Sequence, residues 1–259
     1  MDLIHGATGN NFLDGLKVAD FDGLRPFLTL VDLQQRAEVC GPGMNLDAVW
    51  MPTTAVLSVI AILREGEGVE ACTVGYESAY GLLNALGDPV VLDEVVVQLP
   101  GAAIRAPAGR FRDAAAQSPS LGEAMIRHAQ ANVALSQQSV ACNAAHSVAQ
   151  RLCRWLLMTQ DRCASRRIPL TQELLGLMLG VQRTTVTAAA QELQAAGLIR
   201  YSRGQIEVLA HDGLEARSCE CYAALRGKQA RLLGPARPRT APGLGLSAGA
   251  SASHWPRTA

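Results

Sequence analysis

Residues 170–209 read LTQELLGLMLGVQRTTVTAAAQELQAAGLIRYSRGQIEVL, and two apolar stripes inside that run set its architecture. Leu174, Leu175, Met178 and Leu179 recur at i, i+1, i+4 and i+5, which lays one apolar face along a short helix. Val186, Ala189, Ala190 and Leu193 recur at i, i+3, i+4 and i+7, a second amphipathic helix. Between them Gly180 stands where the chain must turn sharply, and a residue without a Cβ takes positive φ at no steric cost. Gly176 is expected to let the second helix approach the first closely, and Gly197 to end the second helix at C′. Helix, glycine turn, helix is the helix-turn-helix rhythm, although a helical hairpin buried in a core carries the same periodicity.

The residues after Gly197 separate those two readings. Leu198, Ile199 and Tyr201 precede Ser202-Arg203-Gly204, and Ile206, Val208 and Leu209 follow it, a strand-turn-strand pattern. A hairpin directly after the second helix is a wing, and the whole order is that of a winged helix-turn-helix on DNA. With Val186, Ala190 and Leu193 inward, 100° steps put Thr184 and Ala188 nearly opposite, with Thr187 and Gln191 beside them. Arg183 sits at the helix start, the end that enters the major groove in this motif. Its guanidinium can bond guanine O6 and N7 together, so Arg183 is the expected base reader, with Thr184, Thr187 and Ala188 beside it. Gln182, Thr185, Arg200, Ser202 and Arg203 are expected on phosphate, which fixes register without reading sequence.

The chain has 259 residues, enough for two ordinary domains, and a formal net charge of zero. That balance excludes a protein that coats nucleic acid electrostatically, but a sequence reader needs only a local basic face. Arg166, Arg167, Arg183, Arg200 and Arg203 supply one, with few acids near them in sequence. No segment approaches the roughly 20 apolar residues of a membrane span. The first residues, MDLIHGATGNNF, lack the basic start and apolar run of a signal peptide, so a cytoplasmic location is expected. Seven cysteines (40, 72, 142, 153, 163, 219 and 221) are odd in number and scattered. No CxxC pair and no zinc-spaced Cys/His set appears; Cys219-x-Cys221 is the only close pair. Buried free thiols, no metal and no cofactor are the expectation. His146 lies four residues after Cys142, a pairing read as a surface or interface contact. Five scattered histidines without a Ser or Cys elbow give no catalytic constellation, so no enzyme is expected.

Upstream, short helices are expected around Phe12–Leu16 and Phe21–Phe27. From Leu28 to about Pro107 the character is β, with dense β-branched runs at Val56–Leu63, Val69–Val74 and Val90–Leu99. Pro and Gly pairs separate those runs, as in a small barrel or sandwich. Gly109–Gln117 reads as a helix stopped by Ser118-Pro119, and a long helical region runs from Leu121 to Gln160. Leu121, His128, Leu135 and Cys142 recur every seven residues there, a weak heptad that nominates a dimer seam. After Leu233 a Pro/Gly/Ala/Ser composition cannot form a core, and disorder is expected.

This order of parts resembles the Crp/Fnr family of bacterial transcription regulators over roughly residues 10–225. The likeness is carried most specifically by SVAQRLCRWLL at 147–157 and by the run from Leu170 through SCECY at 218–222. The resemblance implies an α+β fold. Its parts would be a jelly-roll sensor of cyclic-nucleotide-binding type at 10–118, a dimerisation helix at 119–144 and a winged helix-turn-helix at 145–225. Residues 226–259 fall to the disordered tail. It also implies a homodimer on an inverted repeat of double-stranded DNA, with RNA polymerase as a further partner. Departures bear on mechanism. Cyclic-AMP-binding relatives use a Gly-Glu pair for the ribose and an Arg before Ser or Thr for the phosphate. Here Glu77, in Gly75-Tyr76-Glu77, is the candidate for the first role. No arginine occurs between Arg64 and Arg105, and Asp93 and Glu94 lie where the phosphate partner is needed. Two carboxylates would repel that anion, so cyclic AMP is not the expected effector, and the effector is otherwise unknown. The iron–sulfur branch relies on N-terminal cysteines, whereas the first here is Cys40, and neither His5 nor His128 has a context for haem. On the reading helix Arg183 matches the family's retained arginine, while Thr184 and Ala188 replace a further charged position. The alternative reading is a ligand-binding module whose output is a protein partner; it would share the barrel but need neither Arg183 nor the wing.

Overall fold

The computed structural model describes residues 3–64, 67–163, 165–202 and 204–234. Two short helices open the chain, α1 (Asn11–Asp14) and α2 (Val18–Leu24), followed by a 3-10 turn at Arg25–Phe27. Strands β1 (Thr29–Leu33), β2 (Glu38–Cys40), β3 (Ala48–Pro52), β4 (Val56–Ile62) and β5 (Gly68–Val74) follow. Helix α3 (Leu82–Leu86) then precedes β6 (Glu94–Leu99) and β7 (Gly101–Pro107). The seven strands form two antiparallel sheets, ordered β1-β7-β3 and β2-β6-β4-β5. β3 is buried along its whole length and β4 over its first five residues, which explains why these runs are apolar rather than alternating.

Helix α4 (Ala108–Gln117) ends where α5 (Pro119–Ala145) begins, and Ser118 serves both. Its side chain accepts the Leu121 N–H while Pro119 occupies the first helical turn, where a missing donor costs nothing. The long helical region expected from sequence is two helices, because His146 is extended and α6 (Val148–Arg162) starts afresh. The reason is a capping box: Ser147 accepts from the Gln150 backbone while the Gln150 side chain accepts the Ser147 N–H.

The C-terminal half comprises β8 (Arg167–Pro169), α7 (Gln172–Leu179), α8 (Arg183–Ala195), β9 (Ile199–Ser202) and β10 (Gln205–Val208). Helices α9 (His211–Arg217) and α10 (Cys221–Leu233) close the described chain. The wing has three strands, β8-β10-β9, the first of them not anticipated from sequence. Helix α10 runs through residues 226–233, which the sequence reading gave to the tail; residues 235–259 lie outside the described ones.

The heptad faces the wrong way for a seam. Leu121, His128, Leu135 and Cys142 are buried against the chain's own residues. His128 meets the Phe12 ring edge-on at 5.0 Å and its Nδ1 lies 3.2 Å from the Ser78 hydroxyl. Burial, with the Arg127 charge adding to it, lowers His128 to about 4, so it stays neutral in the core. The large apolar residues that α5 leaves exposed are Ile126, Val133 and Val140, also seven apart.

Candidate nucleic-acid interface

The geometry of α7 and α8 follows from their ends. The Thr171 side chain caps α7 by accepting the Leu174 N–H, and Gly180 closes it at φ +61. A Cβ on Gly176 would stand 2.9 Å from the Val181 carbonyl oxygen. What crowds Gly176 is therefore the backbone of the turn, and its own carbonyl accepts the Val181 N–H at 3.0 Å. Val186, Ala189, Ala190 and Leu193 are all buried, as the second stripe requires.

Around the rest of α8, Gln182, Arg183, Thr184, Thr185 and Ala188 are exposed. Arg183 Nε donates to Gln172 Oε1 at 3.1 Å, which braces the guanidinium from α7; Gln172 was not singled out from sequence. Thr187 is half-buried, and its hydroxyl donates to the Arg183 carbonyl at 2.9 Å, which leaves its methyl as the free group. Thr185 and Ala188 border a groove of about 580 Å³ between α6 and α8, also lined by Cys153, Glu192 and Arg217. On the wing, the Tyr201 N–H donates to Gln194 Oε1 at 2.8 Å, so the last turn of α8 sets the hairpin's position. Ser202 is exposed, and Arg203 lies outside the described residues.

The basic face is less free than its sequence suggests. Glu207 on β10 lies 3.0 Å from Arg200 and 3.6 Å from Arg167, so both guanidinia share one carboxylate. Exposed pairs of this kind are worth about 0–1 kcal/mol and exchange readily for another anion.

Behind the interface the two halves are tied together by buried polar groups. Glu70 on β5 accepts from Ser58 at 2.5 Å, from Gln98 at 2.7 Å and from Trp155 Nε1 on α6 at 2.8 Å. Burial outweighs the Ser58 and Trp155 donors and the Arg154 and Arg162 charges, and pushes its carboxyl up to about 7. Glu77 is engaged by Arg162, whose Nε donates to it at 2.7 Å, and the two line one side of a cavity of about 620 Å³. Gln35 donates to the Pro169 carbonyl at 2.7 Å, and a Cβ on Gly180 would meet Val69 on β5 at 3.2 Å. The apolar cores of the two halves accordingly form one contiguous cluster.

The cysteines are free and all but Cys163 buried, as expected, but three of them are not scattered in space. Cys142 at the end of α5, His146 in the α5–α6 joint, and Cys219 and Cys221 before and at the start of α10 come together. Their Sγ and imidazole nitrogen atoms all lie within 4.8 Å of one another. Burial pushes both the Cys142 and the Cys219 thiol up. The signals were in the sequence, as an i, i+4 Cys-His pair and a CxC pair. Nothing short of the fold joins them.

These features define a winged helix-turn-helix mounted on a β-rich half. Residues 150–217 match the Crp-like helix-turn-helix domain family. A transcriptional regulator of the crp/fnr family from Eubacterium rectale aligns at 15% identity and TM-score 0.64, covering 79% of this chain and 95% of that one. FixK2 from Bradyrhizobium japonicum aligns at 14% identity and TM-score 0.62, covering 74% and 98%. A CRP/FNR-family regulator from Thermus thermophilus aligns at 18% identity and TM-score 0.60, covering 73% and 98%. No curated protein matches the chain by sequence. The chain carries a Crp-like helix-turn-helix domain on the fold of the Crp/Fnr transcription regulators. Among the described residues no helix is long and apolar enough to cross a membrane.

Proposed function

We propose that this chain is a sequence-specific transcription regulator that binds an inverted-repeat operator as a homodimer and needs no cyclic AMP to do so. The observation that carries the reading is the exposed N-terminal face of α8, with Arg183, Thr184 and Ala188 outward and a wing braced beside it. Arg183 reads a guanine, while Thr184, Ala188 and the Thr187 methyl offer apolar contact to thymine methyl groups. Gln182 makes no side-chain cap, so the first N–H groups of α8 are left for a phosphate. Thr185, Ser202, Arg203 and Arg200, the last released from Glu207, complete the backbone contacts. RNA polymerase is the further partner for an operator-bound dimer.

Dimerisation is carried by Ile126, Val133 and Val140, an exposed apolar row with the seven-residue spacing of a parallel helix pair. Independence from cyclic AMP rests on the missing phosphate arginine and on Glu77 being held by Arg162. The test is selection of random duplex DNA by the purified chain without added ligand, followed by sequencing. An enriched inverted repeat with half-sites about 34–36 Å apart is expected. No enrichment by a folded dimer would overturn the effector-free reading. Enrichment of a single half-site by a monomer would overturn the dimer.

A further inference from the structure

We propose that Cys142, His146, Cys219 and Cys221 form a closed Cys3His site for one zinc-class divalent cation, which pins α10 to the joint between α5 and α6. A tetrahedral ion with metal–sulfur bonds of about 2.3 Å holds neighbouring ligand atoms roughly 3.6–3.8 Å apart. The Cys142 and Cys219 sulfurs are 3.5 Å apart, and the Cys221 sulfur is 3.7 Å from His146 Nδ1. All four ligand atoms lie within 4.8 Å of one another, which suits a single ion and leaves no room for several irons with bridging sulfides.

The surroundings point the same way. His146 Nε2 lies 3.1 Å from the Glu220 carboxylate. A proton held there leaves Nδ1, which faces Cys221, with its lone pair free. Carboxylate to imidazole to metal is the usual outer support of such a ligand. Gln138 donates to the Cys221 sulfur at 3.1 Å, as it would to a thiolate. Binding M²⁺ to three thiols and one neutral imidazole releases three protons and leaves a site of net charge −1. Arg151 and Arg154 on α6 are both buried, and neither pairs with a carboxylate among the described residues. Each also keeps a buried Nε without a hydrogen-bond partner. An anionic metal–thiolate centre supplies a counter-charge to both, since Cys142 lies within electrostatic reach of each. Four protein ligands fill the coordination sphere, so the site is structural rather than catalytic. A Cys142–Cys219 disulfide would use neither His146 nor Cys221.

The reduced full chain should be titrated with Co²⁺ as the probe and then with Zn²⁺. One Co²⁺ per chain is expected, with the intense visible bands of tetrahedral cobalt and a thiolate charge-transfer band, both erased by Zn²⁺. Cys221→Ser should lose the spectrum, and Cys40→Ser and Cys163→Ser should keep it. Glu220→Gln should weaken binding by about 10- to 100-fold. His146→Cys should retain a tetrahedral spectrum with stronger charge transfer, which covers the case of a serine variant that fails to fold. A pale octahedral spectrum overturns the proposal. So does a spectrum that survives loss of both Cys219 and Cys221, or a reduced, folded chain that takes up no cobalt.

Discussion

The outward face of α8 and the junction buried around α6 are built by opposite rules. The face draws on a few consecutive turns of one helix, with mostly exposed side chains that do little for the folded chain. The junction gathers Glu70, Glu77, Trp155 and Arg162 from both halves, buries all but Glu77, and leaves that one half-buried. One region can vary without disturbing the fold; the other cannot vary singly, because removing a partner strands a buried charge or donor. On the proposed function, specificity would be written on the first and the coupling of the two halves in the second.

Substitutions should break that contrast in order of size. Arg162→Met leaves Glu77 without its ion-pair partner and should destabilise the chain by about 3–5 kcal/mol in denaturant titration, with no direct effect on operator sequence. A loss under about 1 kcal/mol would make this pair a surface contact and the junction looser than described. Glu70 comes next. Its carboxyl is raised from an ordinary 4.5 to about 7, so its contribution is fully present below about 4.5 and is lost as pH rises through about 7. At 1.36 kcal/mol per unit this amounts to roughly 3 kcal/mol across the window. Glu70→Gln should flatten that dependence, and a difference in melting temperature between the two chains that does not change with pH would remove Glu70 from the junction.

On the outward face the effects move from stability to recognition. Arg183→Ala should leave the melting temperature nearly unchanged, cost about 1–3 kcal/mol on the selected operator and relax preference at one guanine. Equal loss on specific and random DNA would take base reading away from Arg183. The smallest effect is expected of Arg203→Ala, a sequence-blind weakening with the salt slope reduced by about 1. A change in the preferred sequence there would mean the wing reads bases.

The same contrast explains how far the sequence could be read. Val186, Ala190 and Leu193 declare their helix because all three answer to one local period, and Gly180 declares its turn because few other residues tolerate φ +61. The Arg183 face follows from them by rotation alone. A seven-residue repeat is weaker information. Leu121-His128-Leu135-Cys142 and Ile126-Val133-Val140 have the same spacing, and only the packed fold tells which row its own chain covers. The junction was not legible, and the thiol–imidazole cluster showed only as two separate pairs, since Glu70 meets Trp155 and Cys142 meets Cys219 only once intervening helices have docked. The break at Ser147 was legible, as Ser-x-x-Gln, but lay inside a run whose composition favours helix throughout.

Gly180 sits against Val69, so the angle at which α8 is presented is a property shared by two halves of the molecule. Thermodynamic reciprocity then runs in both directions. An agent that shifts the β4–β5 hairpin and changes operator affinity by some factor has its own affinity changed by that same factor when operator is bound. If the chain binds an operator as proposed, that DNA is a reporter for the β-rich half. Compounds that bind the β-rich half differently with and without that DNA would be coupled to it, and they can be found without knowing in advance what they are.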